Sequence, residues 1–189
     1  MAAKRQHISR TLELHDGSLR IVAIADTHSR PHPAAEARIS ALEPDAILHA
    51  GDIGDLRVLD GFARIAPVFA VRGNIDAGVA GVPDTMSIDL REGGESLAKL
   101  LLLHIAVYGP KLRAEAAKLA RAEDAGLVVC GHSHVPFAAR DRGLVVFNPG
   151  SIGPRRFSLP IVFGVIEVAR KGISVRHIDC ETGDTWLPP

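Results

Sequence analysis

Three short apolar runs dominate the first half of the chain: residues 21–25 (IVAIA), 46–50 (AILHA) and 68–71 (VFAV). Each offers apolar side chains to both faces, as a strand in the interior of a parallel sheet must. Segments 33–42 and 56–65 lie between them and read as helices. The first has Pro33 at its start, where the missing N–H is no loss, and Pro44-Asp45 as its stop. The resulting βαβαβ order implies parallel strands, right-handed crossovers and an α/β fold.

Residues 8–14 alternate apolar and polar and run into Asp16-Gly17. With 19–25 they predict a hairpin closed by an Asp-Gly turn, an N-terminal extension over 1–18. Further on, 85–90 and 97–103 read as strands joined at Glu92-Gly93-Gly94-Glu95. Residues 111–124 read as a helix rich in Ala, Lys, Arg and Glu, stopped by Gly126. Short strands are expected at 127–130, 135–139, 144–147, 161–168 and 173–179. The apolar strand 161–168 suits a core or an interface, which leaves a homo-oligomer open. With 189 residues and neither repeat nor linker, one domain over 1–189 is expected. Hydrophobic residues make up 47% and aromatics only 4%, so the core is aliphatic.

Ligand sites of open α/β sheets lie just past the C-terminal ends of strands. Seven ligand-type side chains fall there: Asp26 and His28, Asp52, Asn74, His104, and His132 and His134. Taken singly, each motif is unremarkable. Gly51-Asp52 is a common turn, Gly73-Asn74-Ile75-Asp76 suits a left-handed turn, and His104 suits a core edge. Together they offer oxygen and nitrogen donors and no thiolate, which fits Mn, Fe, Zn or Ni, with Mn favoured, over a closed cysteine site. Two such ions need a bridging carboxylate, and between them they lower the pKa of a bound water into the neutral range. In Asp26-x-His28 and His132-x-His134 the spacing keeps both side chains on one side of a strand end. Glycines 51, 73 and 131 each precede a proposed ligand and permit close backbone approach. His7, His15, His32, His49 and His177 match none of these motifs; His49, inside an apolar run, reads as structural.

The 22 basic and 22 acidic residues cancel, which gives no electrostatic case for a long nucleic acid or a membrane partner, though a local basic patch stays open. No apolar run is long enough to span a bilayer or to serve as a signal core. Cys130 and Cys180 are too few for a disulfide framework, so a cytoplasmic location is expected, with Cys130 a core residue.

The ordered set Asp26-x-His28, Gly51-Asp52, Gly73-Asn74, His104 and Gly131-His132-Ser133-His134 resembles the calcineurin-like metallophosphoesterases. Gly73-Asn74-Ile75-Asp76 and Asn148-Pro149-Gly150-Ser151 are similar to their small prokaryotic phosphodiesterase-type subgroup, to which the retromer scaffold subunit is related. The similarity spans 19–168. It implies a four-layer α/β/β/α sandwich and a phosphoesterase acting on a small phosphate ester, phosphodiester more than monoester. It also implies that Asp26, His28 and His134 hold one metal, that Asn74, His104 and His132 hold the other, and that Asp52 bridges them, with Asp52 and Asn74 catalytic. The alternative is a non-catalytic interaction scaffold on the same fold, which has no need of an intact ligand set.

Two positions depart from the family. Many members carry a histidine after the Asn, where this chain has Ile75, so no general acid is in view beyond the weak candidates Asp55 and Asp76. Ile105 replaces a glycine after His104. Arg72 and Arg155 or Arg156 are candidate phosphate contacts, with solvated surface arginine as their other reading.

Overall fold

The computed structural model describes residues 5–188 apart from 15 and 142. Two six-stranded sheets face one another. The first is built on the three apolar runs: β2 (Ser18–Ile24), β3 (Ala46–His49) and β4 (Val68–Ala70) run parallel, with α1 (Ala35–Ser40) and α2 (Arg57–Ala63) as the crossovers. This bears out the expected βαβαβ unit. Its other edge is antiparallel: β12 (Val162–Ala169) pairs with β2, β13 (Gly172–Asp179) with β12, and β14 (Thr185–Trp186) with β13. The apolar strand 161–168 thus serves the core, interior to a sheet.

The second sheet has the order β1, β5, β6, β9, β11, β10. It contains β1 (His7–Glu13), β5 (Thr85–Glu92), β6 (Glu95–Leu103), β9 (Leu127–Val129), β10 (Phe137–Asp141) and β11 (Leu144–Asn148). β5 and β6 meet across Gly93-Gly94, both left-handed, as the Glu-Gly-Gly-Glu turn predicts. Helix α3 (Ala114–Ala122) starts later than expected, because Lys111-Leu112 form a two-residue strand, β8, against β7 (Val107–Tyr108).

One expectation fails. β1 and β2 do not form a hairpin: β1 pairs in parallel with β5, seventy-eight residues on, in the other sheet. The turn itself is as expected, with Asp16 and Gly17 both at positive φ. The strands part because β2 is apolar on both faces and takes β3 and β12 as neighbours. β1 has one apolar face, with Ile8 and Leu12 against the core between the sheets, which suits an edge.

Packing follows the alternation along β2. Ile21, Ala23 and Ala25 join Leu48, Ile88, Leu102 and Phe147 in the core between the sheets. Val22 and Ile24 face α1 and α2 through Ile39 and Phe62. On the far side, Leu101, Val128 and Cys130 meet α3 at Ala116 and Ala120. The layers are therefore α/β/β/α. The C-terminal ends of β2, β3, β4, β6 and β9 gather at one edge, and every proposed ligand follows one of them.

Candidate metal centre

Two clusters form at that edge. In one, Asp26, His28 and His134 each bring a ligand atom within 4.8 Å of the others; in the second, Asp52, His104 and His132 do the same. Asp52 stands between them. Its Oδ1 lies 3.3 Å from His104 Nε2 and its Oδ2 3.7 Å from His28 Nε2. His28 Nε2 is 3.3 Å from His134 Nε2, which in turn is 3.6 Å from Asp26 Oδ1. Asn74 opens a 3-10 turn (Asn74–Asp76) and lines a cleft with His104.

The backbone is strained where these side chains sit. Asp26, His28, Asp52, His132 and His134 all have left-handed φ, between 45° and 72°. Each such residue costs about 1–3 kcal/mol and persists only where the surroundings hold it. Glycines make room for the convergence. A Cβ on Gly73 would come within 2.2 Å of both Asp52 N and Oδ1, and one on Gly51 would lie 2.7 Å from His104 Nδ1.

Several residues outside the ligand set hold it in place. Asp76 is buried, and its carboxylate accepts from Gly54 N (2.9 Å), Ile53 N (3.0 Å) and Gly73 N (2.8 Å). It therefore ties the loop carrying Asp52 to the turn carrying Asn74, and its oxygens are committed to backbone. His49 is buried and neutral, its pKa pushed down to about 3 by burial. Its Nδ1 accepts from Gly51 N and its Nε2–H donates to Thr27 Oγ1, which donates to Ile53 O. Asn148 donates to Gly131 O and Ser133 Oγ, and Ser151 Oγ donates to Asp26 O. Sequence reading identified His49 as structural but assigned none of these roles. A signal for Asp76 lies in Gly-Asn-x-Asp, which places its carboxylate two residues from Asn74, whereas Asn148 and Ser151 reach the ligand loops only through the fold.

The arginines divide. Arg156 Nη2 donates to His28 Nε2 at 3.1 Å, while Arg155 turns away to Glu181 and Leu159 O. Arg72 donates to Asp84 and keeps a buried Nε without a hydrogen-bond partner. Asp55 is held by Arg57 at the surface.

The donor chemistry fits cations. His104 donates from Nδ1 to Ala50 O, which turns Nε2 inward, and that buried Nε2 has no hydrogen-bond partner; nor has His134 Nδ1. Burial lowers the pKa of His28, His132 and His134, the last to about 4, with Arg156 adding for His28 and His134. Their ring nitrogens are therefore free to ligate at neutral pH. Burial, with Asp52 adding and His104 opposing, pushes Asp26 up to about 7. Burial opposes charging His104, yet Asp52 and Asp26 hold its pKa above the ordinary value. For Asp52, burial is outweighed by His104 and the Ile75 N–H, which hold the carboxyl well below its usual range.

A pH dependence follows for metal uptake. Without metal, Asp26 retains a proton near neutrality, and a cation must displace it. Apparent affinity for Mn²⁺ is thus expected to fall as pH drops through about 7, by roughly tenfold per unit for each proton displaced. Competitive titration with a metal indicator at pH 6, 7 and 8 measures this, and a flat profile would contradict it.

Two clefts flank the clusters. One, of about 450 Å³, is lined by Asn74, His104, Arg72, Ile105 and Arg113. The other, of about 510 Å³, is lined by His132, Tyr108, Val135, Ile105 and Arg113.

Known proteins resemble this chain in sequence and in fold. Residues 19–171 match the Calcineurin-like phosphoesterase superfamily domain. A probable metallophosphoesterase of Methanothermobacter thermautotrophicus is 31% identical over 147 residues, covering 75% of this chain and 82% of the relative. A predicted phosphoesterase of Streptococcus pneumoniae superposes with a TM-score of 0.66 at 21% identity, over 91% of this chain and 95% of the other. Zinc-complexed wild-type Vps29 of Entamoeba histolytica gives 0.70 at 21% identity, over 89% and 96%. With the match running from the first strand of the βαβαβ unit past the end of β12, this chain belongs to the calcineurin-like phosphoesterase superfamily.

Proposed function

We propose that the protein is a dinuclear-metal phosphodiesterase, with the carboxylate of Asp52 shared between two ions. The observation that carries this is the placement of Asp52, with one oxygen toward His104 and the other toward His28. Asp26, His28 and His134 would hold one ion and Asn74, His104 and His132 the other. Two divalent ions bound there would supply Lewis acidity and lower the pKa of a bound water. The chain's own contribution is positional. The left-handed backbone at five ligands and the brace from Asp76 fix the donor atoms before substrate arrives. Arg156, beside His28, is placed to take a phosphoryl oxygen, and Arg72 faces the first cleft. Ile75 leaves no imidazole beside Asn74 and is half exposed, so a leaving alcohol receives no proton from that position. Esters with stable leaving anions are the substrates this favours. A diester fits better than a monoester because the clefts meeting at Ile105 and Arg113 offer space for two substituents.

The free, buried thiols Cys130 and Cys180 are consistent with a reducing, cytoplasmic setting; burial pushes the first up to about 12. No helix among the described residues is long and apolar enough to cross a membrane.

A scaffold reading has one observation in its favour, the structural likeness to Vps29. That relative is itself complexed with zinc, so metal content does not separate the two readings, whereas hydrolysis does. Protein reconstituted with Mn²⁺ or Ni²⁺ is expected to cleave bis(p-nitrophenyl) phosphate faster than p-nitrophenyl phosphate. A chelator should abolish the activity and added metal restore it. Metal-loaded protein inert on both esters would remove the hydrolase reading, and a preference for the monoester would remove the diester assignment.

A further inference from the structure

We propose that the rim of the metal centre docks on an anionic lipid–water interface. Such docking would bring the phosphodiester of a lipid headgroup within reach of the centre; that consequence, but not the docking, rests on the phosphodiesterase reading. The first observation is where the exposed apolar side chains lie. Among the described residues the large exposed hydrophobics are Leu56 (38%), Ile75 (51%), Tyr108 (86%), Val135 (44%), Phe157 (93%) and Leu187 (75%). Leu56, Ile75, Val135 and Phe157 sit on loops of the candidate centre, and Tyr108 on the β7–β8 hairpin beside it. Ile75 follows Asn74, Val135 follows His134, and Phe157 follows the Arg156 that reaches His28. Leu56 ends the loop that starts at Asp52, and Tyr108 shares a cleft with His132. Single exposed apolar residues are ordinary, but their collection around one opening marks a contact surface.

Backbone strain at Phe157 is independent of exposure. Its φ is +53°, a conformation that bulky side chains adopt only at a cost. Strain of this kind gathers at functional sites. Here it accompanies an aromatic ring standing almost wholly in solvent.

Charge identifies the occupant. The chain is neutral as a whole, yet Arg30 and Arg156 lie on loops of the candidate centre and Lys111 pairs with Tyr108 in the β7–β8 hairpin. The acidic side chains nearby are already engaged: Asp76 by backbone N–H groups, Asp55 by Arg57 and Glu115 by Arg113. Aromatic and aliphatic tips interleaved with basic residues are the composition that seats a protein in the headgroup region of an anionic bilayer. A lipid surface also suits the tips' distribution over several separate loops. Apolar tips enter the acyl boundary while arginines remain level with the phosphates, where the metal centre opens. A flat protein partner would instead cover that opening.

The test is sedimentation with sucrose-loaded vesicles. Metal-loaded full-length protein is expected to pellet with vesicles of equal parts phosphatidylcholine and phosphatidylglycerol, and more weakly with phosphatidylcholine alone or in high salt. The double variant Leu56→Ser, Phe157→Ser removes only exposed apolar side chains and should lower the partition coefficient by at least about tenfold. Its hydrolysis of soluble bis(p-nitrophenyl) phosphate should stay within about twofold of wild type, since neither side chain lines either substrate cleft. Wild type left in the supernatant at every lipid concentration would overturn the proposal and assign the rim to a protein partner. A double variant that pellets like wild type would overturn it as well. Protein that binds vesicles but cleaves no soluble diester would remove the phosphodiesterase reading and leave the docking in place.

Discussion

Asp52→Asn is expected to lower phosphodiester hydrolysis by more than about 100-fold while leaving the fold intact. Partners one shell out from a metal already cost about 10–100-fold in affinity or activity when removed, and Asp52 is proposed to touch both ions. The reason is charge. Asp52 is the side chain with one oxygen toward each cluster, and it is held ionised. An amide in its place keeps the shape and can still accept from Ile75 N at 3.2 Å. It loses the negative charge that offsets two neighbouring cations, along with one of the two oxygen donors. Steady-state kinetics on bis(p-nitrophenyl) phosphate with saturating Mn²⁺ measure the loss. Metal titration of the same variant should show the second equivalent binding much more weakly than the first. A variant retaining more than a tenth of wild-type activity would mean that Asp52 does not bridge.

The contrast between Asp52 and the residues that hold it shows what the sequence discloses and what it withholds. Every proposed ligand follows an apolar run, and the two-faced burial of Ile21 to Ala25 is visible as an unbroken apolar string. Local pattern is enough there, because the requirement it reflects, a strand covered on both faces, is local too. Pairing is different. Asp16-Gly17 makes the turn that was expected, yet β1 joins β5, since the choice between two edges depends on which sheet has an open flank. In the same way, His28 meets His134 across 106 residues, and only the family pattern assigned them to one cluster. Arg155 and Arg156 are adjacent and chemically identical; one pairs with Glu181 and the other reaches His28, a distinction made by the loop after Ser151. Neutral overall charge also concealed how the basic residues are distributed. Arg30 and Arg156 sit on loops around the centre, where the exposed apolar side chains also lie.

Asp76→Asn should cost both stability and metal affinity, and it tests whether the centre depends on residues that touch no metal. The wild-type carboxylate accepts three backbone N–H groups, two of them on Oδ2. An asparagine can present only one oxygen. Its amide nitrogen then faces donors, leaving one or two buried N–H groups without an acceptor. At about 1–3 kcal/mol for each unsatisfied group, the loss is roughly 1–6 kcal/mol. For a chain of this length that is a fall in Tm of roughly 10 °C, measured in chelator so that metal binding does not mask it. The loop holding Asp52 and the turn holding Asn74 would also lose their common tie, so Mn²⁺ affinity should drop by about 10–100-fold. The two readouts separate Asp76 from a proton donor. A donor's loss would lower kcat most on poor leaving groups and leave Tm and metal affinity untouched. A brace's loss lowers Tm and affinity together, and saturating metal recovers much of the rate. A variant that melts within about 2 °C of wild type and binds Mn²⁺ as tightly would show that the loop and turn stand without Asp76.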